Sequence, residues 1–405
     1  MINLEHLRSQ VPGLQHAVNA QPMVYFDWAA TTQMPQCVID RVNDAMQLRG
    51  NVRRGVHALG YQSTVQMEQA RQRVAEFIGG DASEIIWTSG TTQALNLLAN
   101  VAGVSLQTGD VVLTSIMEHH SHFLPWKRIA LERGADVIEI SMDVDGRISL
   151  TEIQQWLDTG RVRIIGCTLV SNVLGTRQPI EQIVEMSRLT DAKVVVDAAQ
   201  AVAHMPIDVV DMGVDALVFG GHKIYGPTGV GVLWAQSDWM ASWSPWMLGG
   251  GMANNVGPDS VTWMDGPHRF EAGTPNVSGI VGLVAALDWL ESIGWTCIQE
   301  AERHLIVHLQ RGFEQLPNTT LLCRHPNIPL FSFLIDGVHP HDLGTMCDLS
   351  GVMIRTGQHC TQPLHHRFGL DASSRVSLSF LNTTLECDRF FEVIRQVLKD
   401  FGVME

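Results

Sequence analysis

Lys223 lies in the run Phe219-Gly-Gly-His222-Lys223-Ile-Tyr-Gly-Pro-Thr-Gly, between an apolar stretch and a glycine-rich loop. Lysines normally occupy solvated faces. In partly apolar surroundings the amine loses pKa and becomes a nucleophile suited to a Schiff base. A plain loop lysine is the competing reading, and the apolar and glycine neighbours count against it. Cys360 stands in Arg355-Thr-Gly-Gln-His359-Cys360-Thr-Gln-Pro363, a polar turn whose Arg and His favour thiolate. The other cysteines, at 37, 167, 297, 323, 347 and 387, sit among apolar or helical neighbours and read as core or bystander thiols. Asp197 ends Val194-Val-Val-Asp197, where open α/β sheets bind ligands. It either faces a cationic ring nitrogen or is a satisfied structural carboxylate.

Ser89-Gly90-Thr91-Thr92 follows a strand-like run and opens a helix. Free amides and two hydroxyls at that place make an anion site, or simply an ordinary helix start. Glu118-His119-His120 supplies an imidazole able to stack on a ring; the pair lacks the further ligands of a metal site. Arg375 can grip a carboxylate bidentately, although alone it reads as a surface charge. An amine, an acidic partner for a ring nitrogen, a phosphate cradle and a carboxylate clamp together are what a pyridoxal phosphate enzyme needs.

The elements that must position these residues are legible. Apolar runs at 84–88, 111–115, 136–140, 163–170, 193–197, 216–219 and 229–234 predict strands covered on both faces. Helical patterns lie between them: Met67, Ala70, Val74, Phe77 and Ile78 form one stripe, residues 91–102 another, and Ser149 with Glu152 reads as a capping box. This predicts an α/β domain on a largely parallel sheet. Beyond about residue 270 the pattern changes to a long helical region over 277–315 broken near Gly294. Strands follow at 330–335 and 352–355, then a helix capped by Thr383 and Glu386, which suggests a smaller α+β domain. The expected division is an N-terminal segment 1–20 packing on the small domain, a large domain 21–275, and a small domain 276–405 carrying the cysteine loop.

Charged residues make up 17% of the 405, below the ~25% typical of soluble chains, while apolar residues reach 45%. Intrinsic disorder is excluded by that balance. The net charge of −15, unbroken by any basic run, speaks against nucleic-acid and membrane partners. Glu5 and the lack of an apolar h-region make the N-terminus unlike a signal peptide, and seven dispersed cysteines read as reduced thiols in a cytosol rather than disulfides or a zinc site.

The chain resembles the cysteine desulfurases of fold-type I, class V aminotransferase-like, in the group II, SUF/CSD-like branch. The resemblance runs collinearly through 89–92, 118–120, Ser171-Asn172-Val-Leu-Gly-Thr, Asp197 with Gln200, Gly221-His222-Lys223, Arg269-Phe-Glu-Ala-Gly-Thr274 and 355–360. It implies a pyridoxal phosphate transferase in which Lys223 holds the cofactor and shuttles protons, and His119 stacks on the ring. Asp197 would pair the ring nitrogen and Gln200 lie near the ring hydroxyl. Thr91, Thr92 and His222 would bind phosphate, joined by Thr274 from a neighbouring subunit of a homodimer. Asn172, Arg375 and Arg355 would hold the substrate carboxylate, and Cys360 would take sulfur from L-cysteine as a persulfide, leaving L-alanine. A protein sulfur acceptor of the SufE or CsdE kind is the implied partner.

A selenocysteine lyase or other β-lyase of the same fold would use the same machinery, and a catalytically weakened scaffold member is a further alternative. Three positions depart from the family pattern. Trp28 replaces a serine after Asp27, Ser89 an arginine, and Gly220 a hydroxyl residue before Gly-His-Lys. The first two are expected to alter the entrance or a partner surface. The third predicts that Gly220→Ser tightens cofactor binding.

Overall fold

The computed structural model describes residues 3–53 and 55–404; Met1 and Ile2 of the expected N-terminal segment lie outside that range. The apolar runs form a seven-stranded sheet in the order Ile85–Thr88, Gly231–Ala235, Ala216–Gly220, Lys193–Asp197, Val162–Thr168, Val111–Ser115, Asp136–Ile140. Gly231–Ala235 is antiparallel to both its neighbours, and the remaining pairs are parallel. The strands Val111–Ser115 and Ala216–Gly220 are buried at every residue, because helices cover both faces of the sheet. The strand predicted from 229 begins at Gly231, since Gly229 adopts φ +73° and stays in the preceding loop.

The stripe on Ala58–Phe77 buries Met67, Ala70, Val74 and Phe77 as expected. The predicted capping box at Ser149 forms only by half. Ser149 Oγ accepts from the Glu152 amide, but the Glu152 carboxylate turns to the amide and hydroxyl of Ser141, at 2.9 and 2.7 Å. Serine 141 precedes the helix in a loop that sequence spacing does not place. At Thr383 both halves of the box are made.

A four-stranded antiparallel sheet follows in the order Thr319–Leu321, Leu330–Ile335, Ser373–Ser377, Arg355–Gly357. Its core is aromatic, with Phe313, Phe331, Phe333, Phe390 and Phe391 in mutual contact. The long helical region divides into Val277–Ile293 and Trp295–Glu314, which meet at 78° across Gly294, where φ is +87°. No single helix among the described residues is long and apolar enough to cross a membrane.

The N-terminal stretch touches both parts. Arg8 pairs bidentately with Glu386 on the last helix, while Val11 and Leu14 enter the core of the large sheet. Val24 and Phe26 pack in the aromatic core, and Val24–Tyr25 pairs in parallel with Val352–Met353.

Candidate active site

The C-terminal ends of the parallel strands open on one cavity of about 450 Å³. Ligands bind at this edge in open α/β sheets because the strand-to-helix loops converge there. From the sheet come Thr91 and Thr92, His119, Asn172, Asp197, Gln200, His222 and Lys223. Arg355 and Arg375 reach the same cavity from the small sheet, and Cys360 from the turn that follows the strand Arg355–Gly357. Eleven of the twelve residues singled out in the sequence are thus brought together. Thr274 is not: it lies exposed on an adjoining cavity that shares Ser89, Gln93 and Gly229 with the first.

Each wall has its own cause. Gly90 adopts φ +150°, which only glycine takes comfortably, and turns the chain into the helix Thr91–Ala102. Among the described residues no side chain caps that helix, so its first amides remain free toward the cavity. Asp197 is 4% exposed and accepts the Ala199 amide at 2.9 Å. Burial pushes its carboxyl up, with His122 and Lys223 pulling the other way. Gln200 Nε2 donates to the Ala29 carbonyl at 2.7 Å, which ties the loop after Asp197 to the N-terminal stretch.

The Lys223 amine makes no hydrogen bond among the described residues, and burial draws its ammonium down to about 8 against the attraction of Asp197. Burial and the Lys223 charge hold the His119 imidazole neutral, with a pKa of about 3. Its Nδ1 is satisfied by Ser121, at 2.7 Å from the hydroxyl and 3.1 Å from the amide.

Arg375, a surface charge on its own reading, is 2% exposed. It donates to the Asn172 carbonyl at 2.9 Å and to Asp27 at 3.1 Å, while Arg355 approaches the other Asp27 oxygen at 3.6 Å. Asp27 was missed as a site residue; its place beside Trp28-Ala-Ala was the available signal. Cys360 is exposed at the cavity mouth, on a turn where His359 and Cys360 both adopt left-handed φ, +51° and +56°. The turn is docked onto the start of the helix His120–Arg133: the Cys360 carbonyl accepts the His120 amide at 2.8 Å, and the Gln362 amide donates to His120 Nε2 at 3.2 Å. Cys167, Cys323, Cys347 and Cys387 are buried.

One departure turns out differently from expectation, and a second meets a close neighbour. Trp28 is 3% exposed, with its indole N–H on the Tyr25 carbonyl and its ring against Tyr25 and Tyr225. It fills core and does not reach the entrance. At Gly220 a Cβ would stand 3.0 Å from Thr91 Oγ1 and 3.4 Å from the Thr91 amide, a tight approach that the Thr91 side chain would have to ease. Ser89, in contrast, is exposed and lines both cavities.

Residues 24–390 match the family model described as aminotransferase class-V. A probable cysteine desulfurase of Vibrio cholerae is 40% identical over 98% of this chain and 99% of its own length. A cysteine desulfurase of Klebsiella pneumoniae is 38% identical over 99% of both. Among solved structures, the cysteine desulfurase CsdA from Escherichia coli superposes with a TM-score of 0.91 at 33% identity, over 98% of this chain and 99% of that one. The apo cysteine desulfurase from Thermococcus onnurineus reaches 0.93 at 32%, over 99% of both. The chain belongs to the aminotransferase class-V family, in its cysteine desulfurase branch, a family that uses pyridoxal phosphate.

Proposed function

We propose that this chain is a pyridoxal phosphate-dependent, group II cysteine desulfurase that converts L-cysteine to L-alanine and keeps the sulfur on Cys360. The observation that carries the reading is the single cavity in which Lys223, Asp197 and an uncapped helix N-terminus face Cys360 and two arginines. These residues suit the cofactor. Free amides and the Thr91 and Thr92 hydroxyls match a phosphate, a buried carboxylate matches a ring nitrogen, and an amine of lowered pKa matches an aldehyde. When bound, the cofactor supplies the electron sink for breaking bonds at the substrate's α carbon.

The protein's part is placement and proton transfer. Arg375 and Arg355 bind the substrate carboxylate and fix which bonds face the cavity. Lys223 exchanges a proton close to neutral pH and so can carry one between substrate carbons. His119, held neutral with Nδ1 accepting the Ser121 amide, carries its proton on Nε2 and can donate it as a hydrogen bond within the site. In the sulfur step the Cys360 sulfur bonds to the substrate sulfur, the carbon–sulfur bond breaks, and a proton goes to the carbon. L-cysteine and one enzyme thiol thereby give L-alanine and one enzyme persulfide, with no outside oxidant. An exposed thiol at the mouth can then offer that sulfur to an acceptor protein. Thr274, exposed and outside the cavity of its own chain, fits a site completed by a second copy in a homodimer.

The test is mass spectrometry of the reconstituted protein after a single turnover of L-cysteine. One added sulfur on the Cys360 peptide, with stoichiometric alanine, is the expected result. Cys360→Ser should keep the cofactor and lose both products. Alanine and sulfide at wild-type rates from Cys360→Ser would refute the nucleophile, and turnover restricted to selenocysteine would favour the lyase.

A further inference from the structure

A buried cluster that the scheme above does not use lies behind the cavity wall. His122, on the helix His120–Arg133, is wholly buried and donates from Nδ1 to Glu118 Oε2 at 2.8 Å. Glu118 is 1% exposed, and its other oxygen accepts the Ser115 hydroxyl at 2.6 Å and the Thr168 amide at 3.0 Å. Nε2 of His122 has no hydrogen-bond partner among the described residues. It rests on the strand Val162–Thr168 at Gly166, where a Cβ would stand 2.9 Å from it. Any side chain at 166 would unseat the ring.

Residues 166 and 168 share one face of their strand. Thr168 is the register partner of Asp197 on the neighbouring strand, so Gly166, Thr168 and Asp197 present one common face. His122 covers that face beside the carboxylate aimed at the cavity.

Glu118 and Asp197 are two buried carboxylates in one region, and a buried ionised carboxylate costs several kcal/mol unless it is paired. The groups around them leave few cations. Cys167, on the intervening strand, is kept a neutral thiol by burial and by Glu118. His119 is neutral, and Lys223 reaches Asp197 only from the cavity side. Burial acts to lower the His122 pKa, yet Glu118 and then Asp197 raise it above its ordinary value. His122 and Lys223 are the charges that favour ionised Asp197, and Glu118 opposes them.

We propose that His122 is a positioning residue: as an imidazolium seated on Gly166 and held by Glu118, it keeps Asp197 ionised and thereby keeps the cofactor's ring nitrogen protonated. This rests on the reading of the cavity as a pyridoxal phosphate site.

The holoenzyme reconstituted with ring-15N-labelled pyridoxal phosphate reports the proton directly through the nitrogen chemical shift. The wild type should stay protonated from about pH 6 to 9. In His122→Gln, which keeps an amide for Glu118 but carries no charge, the proton should leave at least about one pH unit lower. A His122→Gln protein that binds cofactor and matches the wild-type shift at every pH overturns the proposal. A wild type that takes up no cofactor overturns the site reading instead. Where His122→Gln does not fold, the wild type with labelled histidine decides. At least one imidazole should remain doubly protonated at about pH 8, above the ordinary histidine range. A full set of neutral rings at that pH overturns the proposal.

Discussion

Asn172 donates its side-chain amide to the His359 carbonyl at 2.8 Å and accepts the Thr361 hydroxyl at 3.2 Å, so both ends of one amide are committed to the turn that carries Cys360. A residue expected to face the substrate carboxylate is thus also the fastening of the nucleophile's loop. Neutral hydrogen bonds contribute about 0.5–1.5 kcal/mol each. Asn172→Ala is expected to speed alkylation of Cys360 by iodoacetamide about 2- to 10-fold and to raise KM for L-cysteine. An unchanged alkylation rate would show that the turn is held without Asn172.

Arg375→Ala should raise KM for L-cysteine by roughly 10- to 150-fold with a smaller effect on kcat, since a charge-assisted pair of about 1.5–3 kcal/mol is lost. Arg355 remains in this variant, but its contact with Asp27 is longer and its side chain more exposed. Steady-state kinetics on the folded variant decide the matter. Equal KM values would place the carboxylate elsewhere.

The Lys223 amine gives a pH signature. Its folded pKa of about 8 lies below the ordinary 10.5, so between these values the unfolded chain binds more protons and stability rises with pH. Below about pH 8 the cost of the buried charge is complete, and above about 10.5 it is gone. Melting of the apoprotein against Lys223→Met should therefore show the variant's advantage shrinking as pH rises through that window. The rate of cofactor uptake by the wild type should climb with a midpoint near pH 8, and Lys223→Ala should show no visible band. A flat difference in melting temperature across the window would contradict the lowered pKa.

Gly220→Ser is expected to bring no gain in cofactor affinity, contrary to what the family pattern suggests. The incoming Cβ meets Thr91 Oγ1 at 3.0 Å, tighter than ordinary contact, and the hydroxyl it would supply duplicates one already present. Thr91→Val, by contrast, removes a hydroxyl from an uncapped helix start and should weaken cofactor binding about 10- to 150-fold. Titration of each apoprotein with pyridoxal phosphate measures both. A tighter Gly220→Ser would mean that Thr91 yields easily.

The catalytic end of the sheet was legible because the strands are short, apolar and terminated by chemically distinctive residues such as Asp197 and Lys223. The break at Gly294 and the box at Thr383 were local events and could be read locally. Three things could not. The burial of Arg375 depends on Asp27, far away in the chain, and nothing near either residue signals the pair. Trp28 looked like a change at the entrance, but Tyr225 offers it a place in the core. His122 has no motif, and its significance comes from Gly166 on another element.

Asp27 stands between Arg355 and Arg375, so the three groups together carry one net positive charge before any substrate arrives. An amino acid with a single carboxylate brings that corner to neutrality. An acidic amino acid, with a second carboxylate to place, would leave it negative in a region where Arg375 is already desolvated. Asp27 is therefore expected to act as a built-in counterion that limits how much negative charge the site admits, which would tilt selection toward substrates with a neutral side chain.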